Sequence, residues 1–310
     1  MDADDGTTAP DWADLPTEAR HPASRDLDRL ATEEVVALLL EEDRRGIEAA
    51  LRHRKEIARA AEWLAETLAG GGSVLLAGAG TSGRLGVLEA AECPPTFGTD
   101  PERIRAAMAG GAEAVFAARE GAEDREDEGR RAAERLGRGD LLIALSASSV
   151  TPYPRGALLA ARERGARTVL LTCAGSAGLA GLADLVLALE TGPEVLTGST
   201  RLKAGSATKA VLNAITTAAM VRLGKVFENW MVDLRPGSAK LRDRSVRIVA
   251  EAGGVPRRRA EVLLAEADGE VKTALVMARR GAGAGDARRR LAAADGSVRR
   301  ALEEPAPLEK

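Results

Sequence analysis

The sequence predicts an α/β protein whose parallel sheet is covered by helices on both faces. Two observations lead there. Short runs that are apolar almost throughout recur along the middle of the chain: SVLLAG (73–78), DLLIALS (140–146), RTVLLTC (167–173) and ADLVLALE (183–190). Strands that are apolar on both faces, rather than alternating, are buried on both faces. Between these runs lie stretches with helical spacing, and strands that alternate with helices form crossover units and a parallel sheet.

The elements follow in order. Residues 1–16, MDADDGTTAPDWADLP, are rich in Asp, Thr and Pro and are expected to be a disordered leader. Thr32 is a candidate helix cap, with Glu33 and Glu34 in the first turn. Helical spacing then runs to about residue 69, where Gly70-Gly71-Gly72 ends it. The strand at 73–78 opens into a glycine-rich turn and a helix expected to end at Pro94-Pro95. RIRAAMAG (103–110) is a weaker strand, followed by helical stretches around 111–120 and 126–137. A helix begins near Pro152, after the strand at 140–146. The segment 206–231 reads as one long, largely apolar helix, which Lys209, Asn213 and Arg222 make unsuitable as a membrane span. Beyond about residue 240 short charged helices are broken by glycines. The expected division is therefore a leader (1–16), a main domain (17–235) and a small helical C-terminal module (236–310), of UBA-like character.

Charge and composition exclude several functions. Lys and Arg number 44 against 47 Asp and Glu, a net charge of -3, which gives no general attraction to nucleic acid or an anionic membrane. The arginine runs at 257–259 and 288–290 sit among acids, as on a solvated helix face. Cys93 and Cys173 are far apart and suggest no disulfide framework. The acidic first residues lack the features of a signal peptide, and no apolar run is long enough to span a bilayer. A cytoplasmic protein is expected. His21 and His53 are the only histidines, so a His/Cys metal site is not expected.

The chemistry centres on VLLAGAGTSGRLG (74–86), which contains Gly78-x-Gly80-x-x-Gly83 after a strand. A dinucleotide site would need an acid at the end of the next strand, and none stands near Met108. Thr81 and Ser82, at the tip of the turn, instead place hydroxyls beside the free N–H groups of a helix N-terminus, an arrangement suited to a phosphate monoester. A second hydroxyl-rich turn, Ser146-Ala147-Ser148-Ser149-Val150-Thr151, follows the strand at 140–146 and also opens a helix. Two such turns at strand ends can enclose one phosphate; the competing reading of each is a simple helix cap.

The two turns resemble those of the sugar isomerase (SIS) fold. Longer runs sharpen the resemblance. GAGTSGRLGVLEAAECPPTFG (78–98), TEARHPAS (17–24), EGAED (120–124), GPEVLTGSTRLKAG (192–205) and KAVLNAITTAAMVRLGKVFENWMVD (209–233) are similar to those of the N-acetylmuramic acid 6-phosphate etherases. The glucokinase regulatory proteins share several of them. What the resemblance implies is a SIS-type three-layer fold and cofactor-free cleavage of the lactyl ether of a phosphorylated amino sugar, in a homodimer. It implies catalytic carboxyls at Glu92 and Glu123, with Glu120 and Asp124 as close competitors of the latter. Glu92, at the expected end of its helix, would be the acid and Glu123 the base. Thr81, Ser82, Gly83, Ser146, Ser148, Ser149 and Thr151 would hold the phosphate, with Arg201, Lys203 and Lys240 as candidate charge partners. The chain departs from the etherase pattern at Ser149-Val150, where Gly-Arg is usual, at His21 (usually Asn) and at Glu89 (usually Asp). A sugar-phosphate sensor without catalysis and a phosphosugar isomerase are the competing functions; a DNA-binding sugar sensor is disfavoured by the charge.

Overall fold

The apolar runs become the strands of one five-stranded sheet: β1 (Val74–Gly78), β2 (Ile104–Met108), β3 (Leu141–Leu145), β4 (Arg167–Thr172) and β5 (Leu185–Ala188), in the spatial order β2-β1-β3-β4-β5. The computed structural model describes residues 15–175, 178–234 and 237–303. Strand β3 pairs parallel with β4, Leu141 opposite Arg167 through Leu145 opposite Leu171, and β4 pairs parallel with β5. All five residues of β1 and of β3 are buried, as their unbroken apolar character requires. Because β1 lies between β2 and β3, the strand order reverses there. In open α/β sheets such a reversal leaves a crevice at the carboxyl ends of the two strands where ligands bind.

Eleven helices are seen among the described residues: α1 (Thr32–Arg52), α2 (Arg54–Ala69), α3 (Gly80–Phe97), α4 (Glu126–Ala133), α5 (Pro152–Glu163), α6 (Lys203–Arg222), α7 (Ala239–Gly253), α8 (Arg257–Glu266), α9 (Val271–Arg280), α10 (Ala284–Ala293) and α11 (Val298–Glu303). No described helix is long and apolar enough to cross a membrane. The chain divides into two compact units. The first holds residues up to Ala60, Leu75–Val87 and Ala106–Asn213, hence most of the sheet with α1, α4 and α5. One face of its sheet packs Leu142, Ala144 and Leu170 against Tyr153, Ala157 and Leu158 of α5. The second holds Ala61–Val74, Leu88–Arg105 and the chain from Ala214 onward. Its helices α7 to α11 pack together with Phe227, Val232 and Leu234 in one core that includes Ile248, Leu263, Leu275, Leu291 and Val298.

Several boundaries differ from the expectation. Thr32 is not the cap of α1; Ala31 is, and its N–H donates to the Glu34 carboxylate (2.8 Å). The stretch 32–69 is two helices interrupted at His53. Helix α3 runs past Pro94 and Pro95 to Phe97, closed by a bond from the Gly98 N–H to the Pro94 carbonyl (2.9 Å). The two prolines withhold the N–H groups that would serve the Ala90 and Ala91 carbonyls, yet do not end the helix. The stretch 111–120 is no full helix: glycines 110, 111 and 121, all with positive φ, leave only the 3-10 turns Ala112–Val115 and Ala122–Asp124. Helix α6 stops at Arg222 rather than 231. Gly224 turns the chain at φ 69°, and a small antiparallel hairpin follows, β6 (Val226–Phe227) with β7 (Trp230–Met231). The expected leader falls mostly on residues 1–14 and the domain boundary on 235–236, both outside the described residues.

Candidate active site

The turn after β1 is shaped by close approach. A Cβ on Gly83 would lie 2.6 Å from the Gly78 carbonyl oxygen and 2.7 Å from Met108 Cγ, and one on Gly78 would lie 3.0 Å from the Leu145 carbonyl oxygen. The glycines therefore let α3 start hard against the sheet. Gly83 is buried by this packing, and it is Gly80, Thr81 and Ser82 that face a cavity of about 460 Å³. The opposite wall comes from the turn after β3, through Ser146, Ser148 and Thr151. The Ser146 hydroxyl donates to Thr151 Oγ1 (3.1 Å), and Ser148 Oγ lies 3.4 Å from the same atom. Thr151 precedes α5 but makes no side-chain cap bond, so these hydroxyls are not spent on capping.

The two turns differ in what they offer an anion. Helix α5 opens with Pro152 and Pro154, which have no N–H, whereas α3 opens with Gly80-Thr81-Ser82. The first N–H groups of a helix have no partner inside it and carry the positive end of its dipole. Backbone donors are thus concentrated at α3 and hydroxyls at the β3–α5 turn. Such a set of amides and hydroxyls has the chemistry to hold a phosphate monoester, and it lies at the carboxyl ends of β1 and β3, where the strand order reverses.

Among the expected carboxylates, Glu123 lines the cavity, beside Asp124. Glu92 is exposed on α3 and belongs to the second unit, whereas every residue lining the cavity belongs to the first. Ser149 is buried, and its carbonyl accepts the Leu179 N–H (2.9 Å) instead of facing the cavity. No lysine or arginine is among the described residues that line the cavity. Arg201 is exposed, and Lys240 is exposed in the first turn of α7. Lys203 is buried, with its ammonium on Glu42 (2.6 Å) and the Pro193 carbonyl (2.8 Å).

That buried pair is the centre of a network that sequence reasoning did not find. His21 Nδ1 accepts the Ala23 N–H (3.2 Å), so its other nitrogen carries the proton and faces Glu42 Oε2 (3.2 Å). Burial pushes the Glu42 carboxyl up, but the hydrogen bond and charge of Lys203, with His21 and Arg45, outweigh it and hold the group below its ordinary value. Glu194 accepts the N–H groups of Lys203 (3.1 Å) and Ala204 (2.8 Å), capping α6, and burial holds its carboxyl above the ordinary value. The network ties down both ends of the segment 194–203, from which Gly198 and Thr200 reach the cavity. Glu18 also lines the cavity. Glu18 and Thr200 lie in motifs already singled out, TEARHPAS and GSTRLKAG, but nothing in their own residue types marked them.

Fold and site define the class first. The five-stranded sheet flanked by helices is of the SIS type, and residues 56–162 match the glucokinase regulatory protein N-terminal SIS domain. An N-acetylmuramic acid 6-phosphate etherase of Rubrobacter xylanophilus is 50% identical over 293 residues, covering 94% of this chain and 97% of that one. The etherase of Mycolicibacterium smegmatis is 45% identical over 94% of this chain and 99% of its own. A solved phosphoheptose isomerase from Francisella tularensis is 19% identical over 61% of this chain and 98% of its own, with a TM-score of 0.45. The chain belongs to the N-acetylmuramic acid 6-phosphate etherase family.

Proposed function

We infer that this protein cleaves the D-lactyl ether of N-acetylmuramic acid 6-phosphate, giving N-acetylglucosamine 6-phosphate and D-lactate. The single observation that carries this is the 50% identity along almost the whole chain with an etherase, helical C-terminal part included. The hydroxyl-lined cavity with Glu123 on its wall supports it chemically.

The sugar enters as its open-chain aldehyde, which makes the C2 hydrogen acidic. Glu123 takes that proton, and the C–H electron pair becomes the C2=C3 double bond. The C3–O bond breaks, its pair leaving on the lactyl oxygen, which Glu92 protonates. Water then adds at C3 with Glu92 accepting its proton, and Glu123 returns a proton to C2. One carboxyl must start charged and the other neutral. Thr81, Ser82, Ser146, Ser148 and Thr151 hold the phosphate in this reading. Residues 17–235 carry the chemistry in this reading, and the helices α7 to α11 belong to a C-terminal helical module within the second unit. The protein works as a cytoplasmic homodimer in peptidoglycan recycling. Arg201, Lys203 and Lys240 act by charge only if assembly brings them toward a site; within one chain Lys203 is a structural residue.

The test is release of D-lactate from N-acetylmuramic acid 6-phosphate. Glu92→Gln and Glu123→Gln should each lower the rate by about 10²–10⁴-fold, the usual contribution of a general acid or base, while still binding N-acetylglucosamine 6-phosphate. An isomerase would move the C2 proton without expelling lactate, and a sensor would do neither.

A further inference from the structure

A second, smaller cavity of about 190 Å³ adjoins the first and shares Gly80 and Glu123 with it. We propose that this side cavity receives the carboxylate of the lactyl group, with Arg84 as its counter-charge. The proposal rests on the etherase reading and deepens it.

Three observations carry it. Arg84 lines the side cavity and is half-buried, and among the described residues no carboxylate pairs with it. Its guanidinium is instead fixed by two neutral acceptors, the carbonyls of Val115 (2.9 Å from Nε) and Ala114 (2.7 Å from Nη2). A rigidly held, half-buried cation with no anion beside it is costly unless an anion arrives, and its planar fork suits a carboxylate. Arg119, the other arginine on the wall, already pairs with Glu113, and Glu120 is exposed at the rim.

The second observation is where the cations are. Among the described residues, Arg84 and Arg119 are the only cationic side chains lining either cavity. A substrate with two anionic groups would therefore put its phosphate on amides and hydroxyls, and its other anion on arginine. The third is the position of Glu123. It lines both cavities, whereas Asp124 lines only the first and Glu120 only the second. The substrate's phosphate is on C6; the C2 hydrogen and the C3 ether lie at the far end. With the phosphate in the hydroxyl cradle, a base at the junction meets C2, and the C3 substituent continues into the side cavity.

The experiment compares the natural substrate with its analogue whose lactyl carboxylate is replaced by a carboxamide. In the unmodified enzyme the acid should exceed the amide in kcat/KM by about 10–100-fold, the value of a charge-assisted hydrogen bond. In Arg84→Gln the two should be turned over alike, with inhibition by N-acetylglucosamine 6-phosphate, which has no lactyl group, unchanged. Arg84→Lys should keep part of the preference. If Arg84 served only to brace the turn at 112–115, its loss would lower both substrates equally and leave the preference intact, which would overturn the proposal. Equal use of acid and amide by the unmodified enzyme would overturn it without any variant. Release of neither lactate from the acid nor lactamide from the amide would instead refute the etherase reading itself.

Discussion

Ser149 stands at φ 65°, in the left-handed region that a residue with a Cβ enters at a cost. The resemblance to the etherase turn puts a glycine at this position. The Ser149 carbonyl is held by Leu179, and a Cβ on neighbouring Gly178 would come within 2.2 Å of that oxygen, so the chain cannot relax locally. Ser149→Gly should stabilise the protein by roughly 1 kcal/mol, read as a raised urea midpoint with an unchanged slope. The two thiols make a second residue-scale prediction. Burial pushes Cys93 up to about 12, helped by the charges of Glu89 and Glu92, and pushes Cys173 up to about 11. Neither should react with iodoacetamide at pH 8 in the native protein, and both should after unfolding; a fast native thiol would contradict this. Legibility in sequence at this scale was uneven. Thr81, Ser82, Ser146, Ser148 and Thr151, picked out as hydroxyls at two strand–helix turns, all line the cavity, although a helix cap would have explained the same pattern. Arg84 did not, because its role depends on which carbonyls and which cavity it faces.

The strands were the most legible elements, because a buried strand shows as an unbroken apolar run. Helix ends were the least, since they were decided at long range. Helix α6 begins at Lys203 because Glu194, nine residues earlier, caps it, and ends at Arg222 because Gly224 takes a positive φ. The buried network at that start carries its own prediction. Lys203→Met would leave Glu42 charged in a site where both side chains are 3% exposed, and should cost about 3–5 kcal/mol. The pH dependence has a definite sign. Glu42 is held below its ordinary value of 4.5, so its stabilising contribution is complete above that pH and is lost as pH falls through the lower folded value. The stability gap between the native chain and Lys203→Met should therefore shrink on acidification below about pH 4.5. A gap that widens there would contradict the assignment. Glu194, whose carboxyl is raised, acts with the opposite sign but is present in both chains.

For the whole molecule, alternation of strands and helices made the parallel sheet readable. The order β2-β1-β3-β4-β5, and with it the position of the cradle, was not, because strand neighbours are set by crossovers that leave no mark in local pattern. The division into two units was equally hidden: the second gathers Ala61–Val74 and Leu88–Arg105 with the chain from Ala214 onward. Two carboxylates named together from motif, Glu92 and Glu123, fall in different units. The most direct measurement is therefore D-lactate release from N-acetylmuramic acid 6-phosphate by the full chain, followed beside the Glu92→Gln and Glu123→Gln variants. The account predicts stoichiometric lactate from the native chain and a loss of about 10²–10⁴-fold in each variant, with phosphosugar binding kept. Native-like lactate release by either variant would contradict the paired-carboxylate chemistry, and none from the native chain would contradict the function.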